Sequence, residues 1–334
     1  MRAIVVEELG GPEVLRAREV LEPEPGPGQV AVRVAWAGVN FAEIKARSTG
    51  YRVPAMPFTP GLEVSGTVQA LGAGVTGLFV GQRVAALTLF GGYAETALAS
   101  ATLTFAVPDG VGLRAAAALP TVLPTAHALV HEAGRLRAGE SVLVQSAGGG
   151  VGTLVGQLAK RAGAGAVYGV VSRPDKADYV RAQGYDEVFV GDDWADQARA
   201  ATGGRGVDLL LDPVGGRTWR RGLELLSPFG RAVSYGNASG EQPWTADLNT
   251  LAPGTHGVHG FSLFVLAGAA PDAVRNLADR ALRLAADGTV ELPISHELPL
   301  DEAAQAHRLI ESRTTTGKLL LRVGGEACGC LNTR

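Results

Sequence analysis

The chain has 334 residues, enough for two domains and a substantial hydrophobic core. Its formal net charge of −3 indicates no surface for a polyanion, so we expect no nucleic-acid partner. The start, Met1–Glu8, turns acidic too early for a signal peptide, and no apolar run reaches the length of a membrane span. We therefore expect a soluble, cytoplasmic protein without a membrane partner.

The first third of the chain is rich in predicted strands and lacks regular alternation with helices. Turn residues such as those of Leu21–Gly28 separate the strands, and one helix-like stretch, Phe41–Arg47, follows the turn Gly38–Asn40. This pattern predicts a compact β domain. Its predicted strands are Ala3–Val6, Leu15–Val20, Gln29–Val34, Val64–Ala70, Arg83–Leu87 and Tyr93–Ala99.

The segment Ala115–Leu129 predicts the helix and kink that lead into a second domain. It contains His127, for which the sequence identifies no partner. Packing and catalysis are therefore both open for this imidazole, and packing is favoured.

A glycine-rich turn follows the predicted strand Val142–Val144 and precedes a helix with an apolar face. Such a turn suits a dinucleotide, because a tight turn needs positive φ and a backbone beside a pyrophosphate cannot carry a Cβ. The diphosphate is then expected at the helix N-terminus, where free N–H groups favour an anion. The predicted cofactor contacts in the turn are Ser146, Gly149, Gly150, Val151 and Gly152.

Further strand-like runs continue with helix-like segments between most of them, at Ala166–Val171, Val188–Val190, Val207–Leu211 and Arg231–Tyr235. This rhythm predicts a doubly wound parallel sheet, the Rossmann type of nucleotide-binding domain. The overall fold class is therefore α/β, with a β-rich domain and a parallel-sheet domain.

The end of the second strand of that sheet indicates which dinucleotide binds. An acidic residue there would pair with the ribose of NAD, whereas the 2′-phosphate of NADP calls for cations. The chain instead has Ser172, Arg173 and Lys176, which favours NADPH. The alternative is that Arg173 and Lys176 are solvated charges at a helix start.

Two later strand ends carry polar residues. Asp212 suits a cap for the next helix as well as a ligand contact, and the loop after the fifth strand is expected to face the cofactor. Tyr235 in that loop is either an aromatic at the sheet end or a group that stacks near the 2′-phosphate.

Cys328 and Cys330 suit neither a disulfide nor a complete zinc site, and we expect residues 324–334 to form a disordered tail.

An ordered series of motifs resembles the medium-chain dehydrogenase/reductase superfamily, and within it the zinc-independent quinone oxidoreductases of the zeta-crystallin type. The resemblance extends from Met1 to about Val323 and implies a GroES-like β fold, split in sequence, for the catalytic domain. It also implies a homodimer. Its motifs are Gly38–Phe41, Pro60–Gly66, Val80–Val84, Gly91–Glu95 and the glycine turn.

The resemblance bears directly on zinc. At the places of the three zinc ligands of related alcohol dehydrogenases, the chain has Asn40, Leu62 and Thr121. None supplies the imidazole or thiolate that zinc prefers, so we predict no metal. Without a Lewis acid, a conjugated acceptor such as a quinone or enone is expected rather than a simple ketone.

The resemblance also implies site residues. Asn40 and Tyr51 match an Asn and a Tyr that line the substrate pocket of the resembling enzymes, although a turn residue and a loop aromatic are the alternatives. The implied cofactor contacts are Thr125, Gly236, Asn237 and Lys318, with a solvated strand-edge lysine as the alternative for the last.

The sequence therefore predicts a catalytic domain over residues 1–122, a Rossmann NADP-binding domain over 123–264 and a return to the catalytic domain over 265–323. The predicted function is NADPH-dependent, zinc-independent reduction of quinones or related α,β-unsaturated carbonyls. A 2-enoyl-thioester reductase and a non-catalytic NADPH-binding protein are the alternatives, because function depends on the site rather than the fold.

Overall fold

The computed structural model describes residues 1–242 and 245–324, so Cys328 and Cys330 and the predicted tail beyond Gly324 lie outside the described residues. The strands are β1 (Arg2–Val6), β2 (Leu15–Glu19), β3 (Gln29–Val39), β4 (Glu63–Leu71), β5 (Arg83–Leu87), β6 (Thr96–Ser100), β7 (Thr104–Ala106), β8 (Ser141–Val144), β9 (Ala166–Val171), β10 (Glu187–Val190), β11 (Val207–Asp212), β12 (Leu226–Ser234), β13 (Gly257–Gly260), β14 (Ile294–Pro299) and β15 (Lys318–Arg322).

The α-helices are α1 (Phe41–Thr49), α2 (Leu113–Ala117), α3 (Val122–Ala128), α4 (Gly150–Arg161), α5 (Ala177–Ala182), α6 (Trp194–Ala201), α7 (Gly216–Leu223), α8 (Leu248–Leu251), α9 (Leu263–Ala269), α10 (Pro271–Ala286) and α11 (Ala303–Glu311). A π-helical turn, Leu129–Ala133, continues α3. Within the described ranges, no helix combines the length and the apolar character that crossing a membrane requires.

The chain forms two compact units. Among the described residues, the first consists of Met1–Thr121, Ile294–Ser312 and Lys318–Gly324, and the second consists of Val122–Pro293 and Arg313–Gly317. The second unit thus takes in a short stretch close to the end of the chain.

These units divide the chain differently from the predicted domains. Residues 265–293, predicted as part of the return to the catalytic domain, belong to the second unit because α10 packs against α3. The sequence gives no signal for the excursion Arg313–Gly317, because four polar residues and a glycine carry no hydrophobic periodicity.

The first unit is built on a sheet with the strand order β14-β15-β3-β4-β5-β7, in which β6 also pairs with β3. β14 and β15 run parallel, and the other neighbours are antiparallel. The apolar side chains of β3, β4 and β15 fill the core. Val39 pairs with Leu319, and Ala37 pairs with Val64. The end of β3 and the starts of β4 and β15 therefore lie side by side at the same end of the sheet.

The second unit holds six parallel strands in the order β10-β9-β8-β11-β12-β13. The chain moves outward from β8 to β10 and then returns to place β11 beside β8. The predicted α/β fold with a doubly wound parallel sheet is therefore confirmed. In such sheets ligands bind beyond the carboxyl ends of the strands, at the point where the order reverses, which here lies between β8 and β11.

Candidate functional site

The glycine turn after β8 takes its left-handed residue from a serine. Ser146 has φ 58°, whereas Gly149 has φ −80° and caps α4. The expectation that a glycine supplies the positive φ of this turn is therefore wrong. A serine tolerates this region at some cost, because its Cβ crowds the backbone.

The glycines of the turn serve two different purposes. A Cβ on Gly152 would lie 2.6 Å from the Ala147 carbonyl oxygen, so the contact of α4 with the turn requires this glycine. On Gly148 and Gly149 the nearest atoms would lie 3.6 and 3.5 Å away, which is ordinary van der Waals distance. The protein's own packing does not require these two glycines, and their bare backbone at a helix N-terminus suits an approaching phosphate group.

The predicted cations follow β9. The Arg173 guanidinium donates to both Asp175 carboxylate oxygens, at 2.8 Å from Nη2 to Oδ2, and both side chains are about half exposed. These hydrogen bonds raise the pKa of Arg173 and lower that of Asp175. Ser172, just before them, is exposed.

Lys176 differs from Arg173 in its surroundings. The residue is only 9% exposed, and burial lowers the pKa of its ammonium group. Within residues 1–242 and 245–324, no side chain or carbonyl accepts a hydrogen bond from its Nζ. Most of the Lys176 side chain is therefore covered by protein, in contrast to the half-exposed Arg173.

A second stretch reaches the glycine turn from the end of the chain. The Gly317 N–H donates to the Gly148 carbonyl at 2.9 Å, and Gly317 forms a parallel bridge with Gly149. The sequence indicated a role for the lysine of this Gly-Lys pair but not the contact that its glycine makes.

The ends of β11 and β12 lie beyond the switch point. Asp212 Oδ1 accepts from the backbone N–H groups of Val214 and Gly215, so it caps the turn before α7, while its Oδ2 is buried without a partner among the described residues. Burial raises the pKa of Asp212 to about 6. Asn237 is used inside its own loop, where it accepts from Ser239 Oγ at 3.0 Å and donates to the Glu241 carbonyl at 3.2 Å.

The remaining predicted site residues of this unit are half-buried or buried. Tyr235 and Gly236 are half-buried in the loop after β12, and burial raises the pKa of the Tyr235 phenol. Thr125 is 8% exposed within α3. His127 packs its ring against that of His131 at 4.5 Å, and burial lowers its pKa to about 4, so the packing alternative fits it better.

In the first unit, the ends of β3, β4 and β15 bring together Asn40, Glu63 and Lys318. The Lys318 ammonium lies 2.5 Å from Glu63 Oε1 and donates to Asn40 Oδ1 at 2.5 Å. Asn40 Nδ2 donates to Glu63 Oε1 at 3.0 Å, and the Thr121 N–H donates to Glu63 Oε2 at 2.7 Å. Gly38 has no side chain because a Cβ there would clash with the Glu63 carboxylate.

Glu43 completes this group, which we call the Lys318 cluster: Asn40, Glu43, Glu63, Lys318 and the Thr121 N–H. Glu43 Oε2 accepts from the Asn40 N–H at 2.9 Å, and Oε1 accepts from the Leu62 N–H at 3.1 Å and from Asn40 Nδ2 at 3.3 Å. Burial raises the pKa of Glu43 to about 7, against the opposing charge of Lys318.

Two predictions change with this cluster. Lys318 and Glu63 are 2% and 0% exposed, so a solvated strand-edge lysine is excluded. Asn40 uses its oxygen and its amide hydrogens inside the cluster, which the sequence did not reveal. Tyr51 lies elsewhere, 45% exposed, with its hydroxyl accepting from Arg52 Nε at 2.9 Å.

Two protein-family models match the chain. One, described as an alcohol dehydrogenase GroES-like domain, covers residues 26–109, and the other, described as a zinc-binding dehydrogenase, covers residues 150–281. The first lies within the β-rich unit and the second within the parallel-sheet unit.

Similar proteins cover almost the whole chain. A rat protein named quinone oxidoreductase is 37% identical over 96% of this chain and 97% of its own length. A zebrafish synaptic vesicle membrane protein VAT-1 homolog is 33% identical over 96% of this chain and 69% of its own length. The crystal structure of Escherichia coli quinone oxidoreductase complexed with NADPH superimposes with a TM-score of 0.89 at 30% identity, covering 96% of this chain and 100% of that one.

Proposed function

The chain belongs to the medium-chain dehydrogenase/reductase superfamily, within its quinone oxidoreductase-like family, and from this premise we propose that it reduces quinones or related α,β-unsaturated carbonyls with NADPH and without zinc. It is thus an oxidoreductase with a GroES-like catalytic domain.

The observation that carries the proposal is the glycine turn with Lys176 beside it. The protein has room for a Cβ at Gly148 and Gly149, yet both positions are glycine. The Lys176 ammonium has no acceptor among the described residues. A pyrophosphate at the start of α4 and a 2′-phosphate near Lys176 would satisfy both groups. We propose Ser146, Val151, Ser172, Arg173, Tyr235 and Thr125 as further contacts, and NADPH supplies the hydride when it is bound.

Zinc does not suit the residues of the Lys318 cluster. Leu62 has no donor atom in its side chain, the Asn40 oxygen accepts from Lys318, and the Glu63 carboxylate already accepts from an ammonium and a backbone N–H. In residues 1–242 and 245–324, no three His, Cys, Asp or Glu side chains form a group able to hold a metal. Lys318 supplies the positive charge that this carboxylate needs.

A quinone suits a site of this kind, because its conjugated oxygen accepts the developing negative charge without a Lewis acid. We propose that Asn40 donates to that oxygen by exchanging its long contact with Glu43, at 3.3 Å, and that Tyr51 is a second contact. Reduction to a hydroquinone also requires one proton. Glu43, with a pKa of about 7, can hold or release a proton at the carboxyl group beside Asn40.

The test is oxidation of NADPH with 1,4-benzoquinone, 9,10-phenanthrenequinone and crotonyl-CoA, in buffer that contains a chelator and with NADH in parallel. We expect quinone turnover that the chelator does not change and that NADPH supports better. Turnover of the thioester alone would make the protein an enoyl-thioester reductase. NADPH binding without any turnover would favour a non-catalytic role.

The proposal includes a homodimer in the cytoplasm, as the family resemblance implies. Sedimentation equilibrium of the purified chain tests the dimer, and a monomer at micromolar concentration would remove it. Fractionation of the source cells tests the location.

A further inference from the structure

The helix that begins the second unit carries two histidines four residues apart. His127 lies in the last turn of α3, and His131 lies in the π-helical turn that continues it. In an α-helix, residue i+4 lies about 40° past residue i around the axis, because a turn takes about 3.6 residues. The wider π-helical turn reduces this angle. The two imidazoles therefore lie on one face of the helix, with ring centroids 4.5 Å apart and ring planes tilted by 48°.

This ring separation matches two imidazoles that share one metal ion. Metal–nitrogen bonds of about 2.0–2.1 Å place each ring centroid about 3.2 Å from the ion. Two such rings then lie about 4.5 Å apart at the right angle of square-planar coordination, and about 5.2 Å apart at a tetrahedral angle. The observed distance corresponds to the square-planar angle, which Cu²⁺ and Ni²⁺ prefer.

The imidazoles of this pair are available to a ligand. His127 Nδ1 is buried without a hydrogen-bond partner among the described residues, and His131 is exposed. Burial lowers the pKa of both imidazoles, so at neutral pH both have the uncharged form that metal ions bind.

Two charged side chains accompany the pair, and their charges offset each other. The Glu132 carboxylate accepts from the Arg280 guanidinium at 2.9 Å, and both side chains are about half exposed. Glu132 raises the pKa of both imidazoles and Arg280 lowers it. A cation bound by the imidazoles therefore meets a positive charge that is already paired with a carboxylate.

We infer that His127 and His131 form a binding site for a divalent transition-metal ion, with Cu²⁺ preferred over Ni²⁺ and Zn²⁺ and with water in the remaining coordination positions. Imidazole suits all three ions, and copper has the highest affinity for such ligands. Two protein ligands are fewer than those of a structural zinc site, so the ion is exchangeable.

This inference does not depend on the proposed function. The two histidines belong to the second unit, whereas the Lys318 cluster belongs to the first. A metal ion on the histidine pair is therefore compatible with quinone turnover that a chelator does not change.

The experiment is calorimetric titration of the full chain with CuCl₂, NiCl₂, ZnCl₂ and MgCl₂ in a buffer that does not bind metals. Every protein in the series carries Cys328→Ser and Cys330→Ser, because thiolates compete for the same ions. The variants are His131→Gln, His127→Asn and, as a matched control, His296→Gln, which removes an imidazole from β14 in the other unit. Thermal midpoints without metal compare the folding of the variants, and the exposed His131 carries the test if His127→Asn does not fold.

We expect one Cu²⁺ to bind per chain, more tightly than Ni²⁺ or Zn²⁺, and Mg²⁺ not to bind, because Mg²⁺ requires oxygen ligands. His131→Gln and His127→Asn should each weaken Cu²⁺ by about a hundredfold, because a single imidazole loses the advantage of two-point attachment. His296→Gln should leave the affinity unchanged. The electron paramagnetic resonance spectrum of bound Cu²⁺ should show coupling to two imidazole nitrogens in the parent chain and to one in His131→Gln.

Cu²⁺ affinity that is the same in His131→Gln as in the parent chain would overturn the inference, because the ion would then bind elsewhere. The absence of saturable Cu²⁺ binding by the parent chain would also overturn it, as would coupling to a single nitrogen in its spectrum. Failure of the metal-free chain to reduce any acceptor would remove the proposed function and leave this inference in place.

Discussion

The Lys318 cluster and the surroundings of Lys176 both contain a buried lysine, and they use it in opposite ways. Lys318 donates to Glu63 and Asn40, Asn40 donates to Glu63, and the Thr121 N–H also donates to Glu63. Lys176 donates to no acceptor among the described residues; burial and the charge of Arg173 oppose its protonation, and the charge of Asp175 favours it. The Lys318 ammonium thus has acceptors within the protein, whereas the Lys176 ammonium has none among the described residues.

This difference separates positioning groups from ligand groups. A buried charge without a partner is costly, so a folded protein keeps one only where something else satisfies it. The Lys318 cluster is satisfied from within and fixes the orientation of Asn40. We propose that a bound 2′-phosphate satisfies the cations near Lys176. Each prediction below tests one side of this contrast.

Replacing Lys318 tests whether the buried Glu63 carboxylate depends on the positive charge of this lysine. Lys318→Met leaves the Glu63 carboxylate buried without its cation, and we expect a loss of about 3–5 kcal/mol in the free energy of unfolding, measured in urea. The control is Lys160→Met, because the pair of Lys160 with Asp186 is 36% and 41% exposed. That change should cost less than about 1 kcal/mol.

The double variant Lys318→Met with Glu63→Gln removes both charges. It should recover a large part of the loss, because no uncompensated charge then stays buried. Equal costs for Lys318→Met and Lys160→Met would show that the cluster does not depend on its lysine.

Glu43 tests the charge state of the same cluster. Its folded pKa of about 7 lies above its usual value of 4.5, so the folded chain holds the proton more tightly than the unfolded chain does. The resulting stability is complete below about pH 4.5 and is lost as the pH rises through 7, a total of roughly 3 kcal/mol. Glu43→Gln lacks this titration, so its free energy of unfolding relative to wild type should rise by that amount between pH 4.5 and pH 8.

The glutamine also loses one acceptor for a backbone N–H, which adds a constant offset at all pH values. Asp178→Asn is the control, since the Asp178 side chain is 97% exposed and should show no such change. A difference between Glu43→Gln and wild type that is independent of pH would contradict a raised pKa at Glu43.

Two glycines of the turn after β8 distinguish packing from binding. Gly152→Ala brings a Cβ to 2.6 Å from the Ala147 carbonyl oxygen and should lower the free energy of unfolding by about 1–3 kcal/mol. Gly149→Ala meets only ordinary contacts and should leave stability nearly unchanged. It should weaken NADPH by about tenfold, because its methyl group occupies the space of the pyrophosphate.

The two measurements, urea unfolding and NADPH titration, should thus respond to different glycines. If Gly149→Ala destabilised the fold as much as Gly152→Ala, the bare backbone would serve packing at both positions. Unchanged NADPH affinity in Gly149→Ala would remove the pyrophosphate from this turn.

The contrast also explains what the sequence revealed. The bounds of β5 and β9 were predicted to the residue, and β8 and α4 were placed correctly, because hydrophobic periodicity is local. The cations after β9 were found for the same reason, since a strand end and its neighbours are close in sequence. The parallel sheet followed from the spacing of such runs.

The Lys318 cluster could not be predicted in this way. Its members come from the ends of β3, β4 and β15, and only the sheet register brings them together. Lys318 alone suggested either a cofactor contact or a solvated charge, because its partner Glu63 lies far away in sequence. Ser146 was missed because a glycine-rich turn offered more obvious candidates for positive φ.

Replacing Asp175 tests the cations near Lys176 and has the smallest expected effect of the predictions. Its carboxylate engages the Arg173 guanidinium, and both side chains are about half exposed, so the pair contributes little to folding. In the presence of a 2′-phosphate, however, Asp175 competes for Arg173 and repels the anion. Asp175→Asn should therefore strengthen NADPH binding by about twofold and leave NADH unchanged, and the gain should vanish near 0.5 M salt because exposed charges are screened there. Weaker NADPH binding in this variant would mean that Asp175 holds Arg173 in its binding position. The Arg173–Asp175 pair would then be satisfied within the protein, as the Lys318 cluster is.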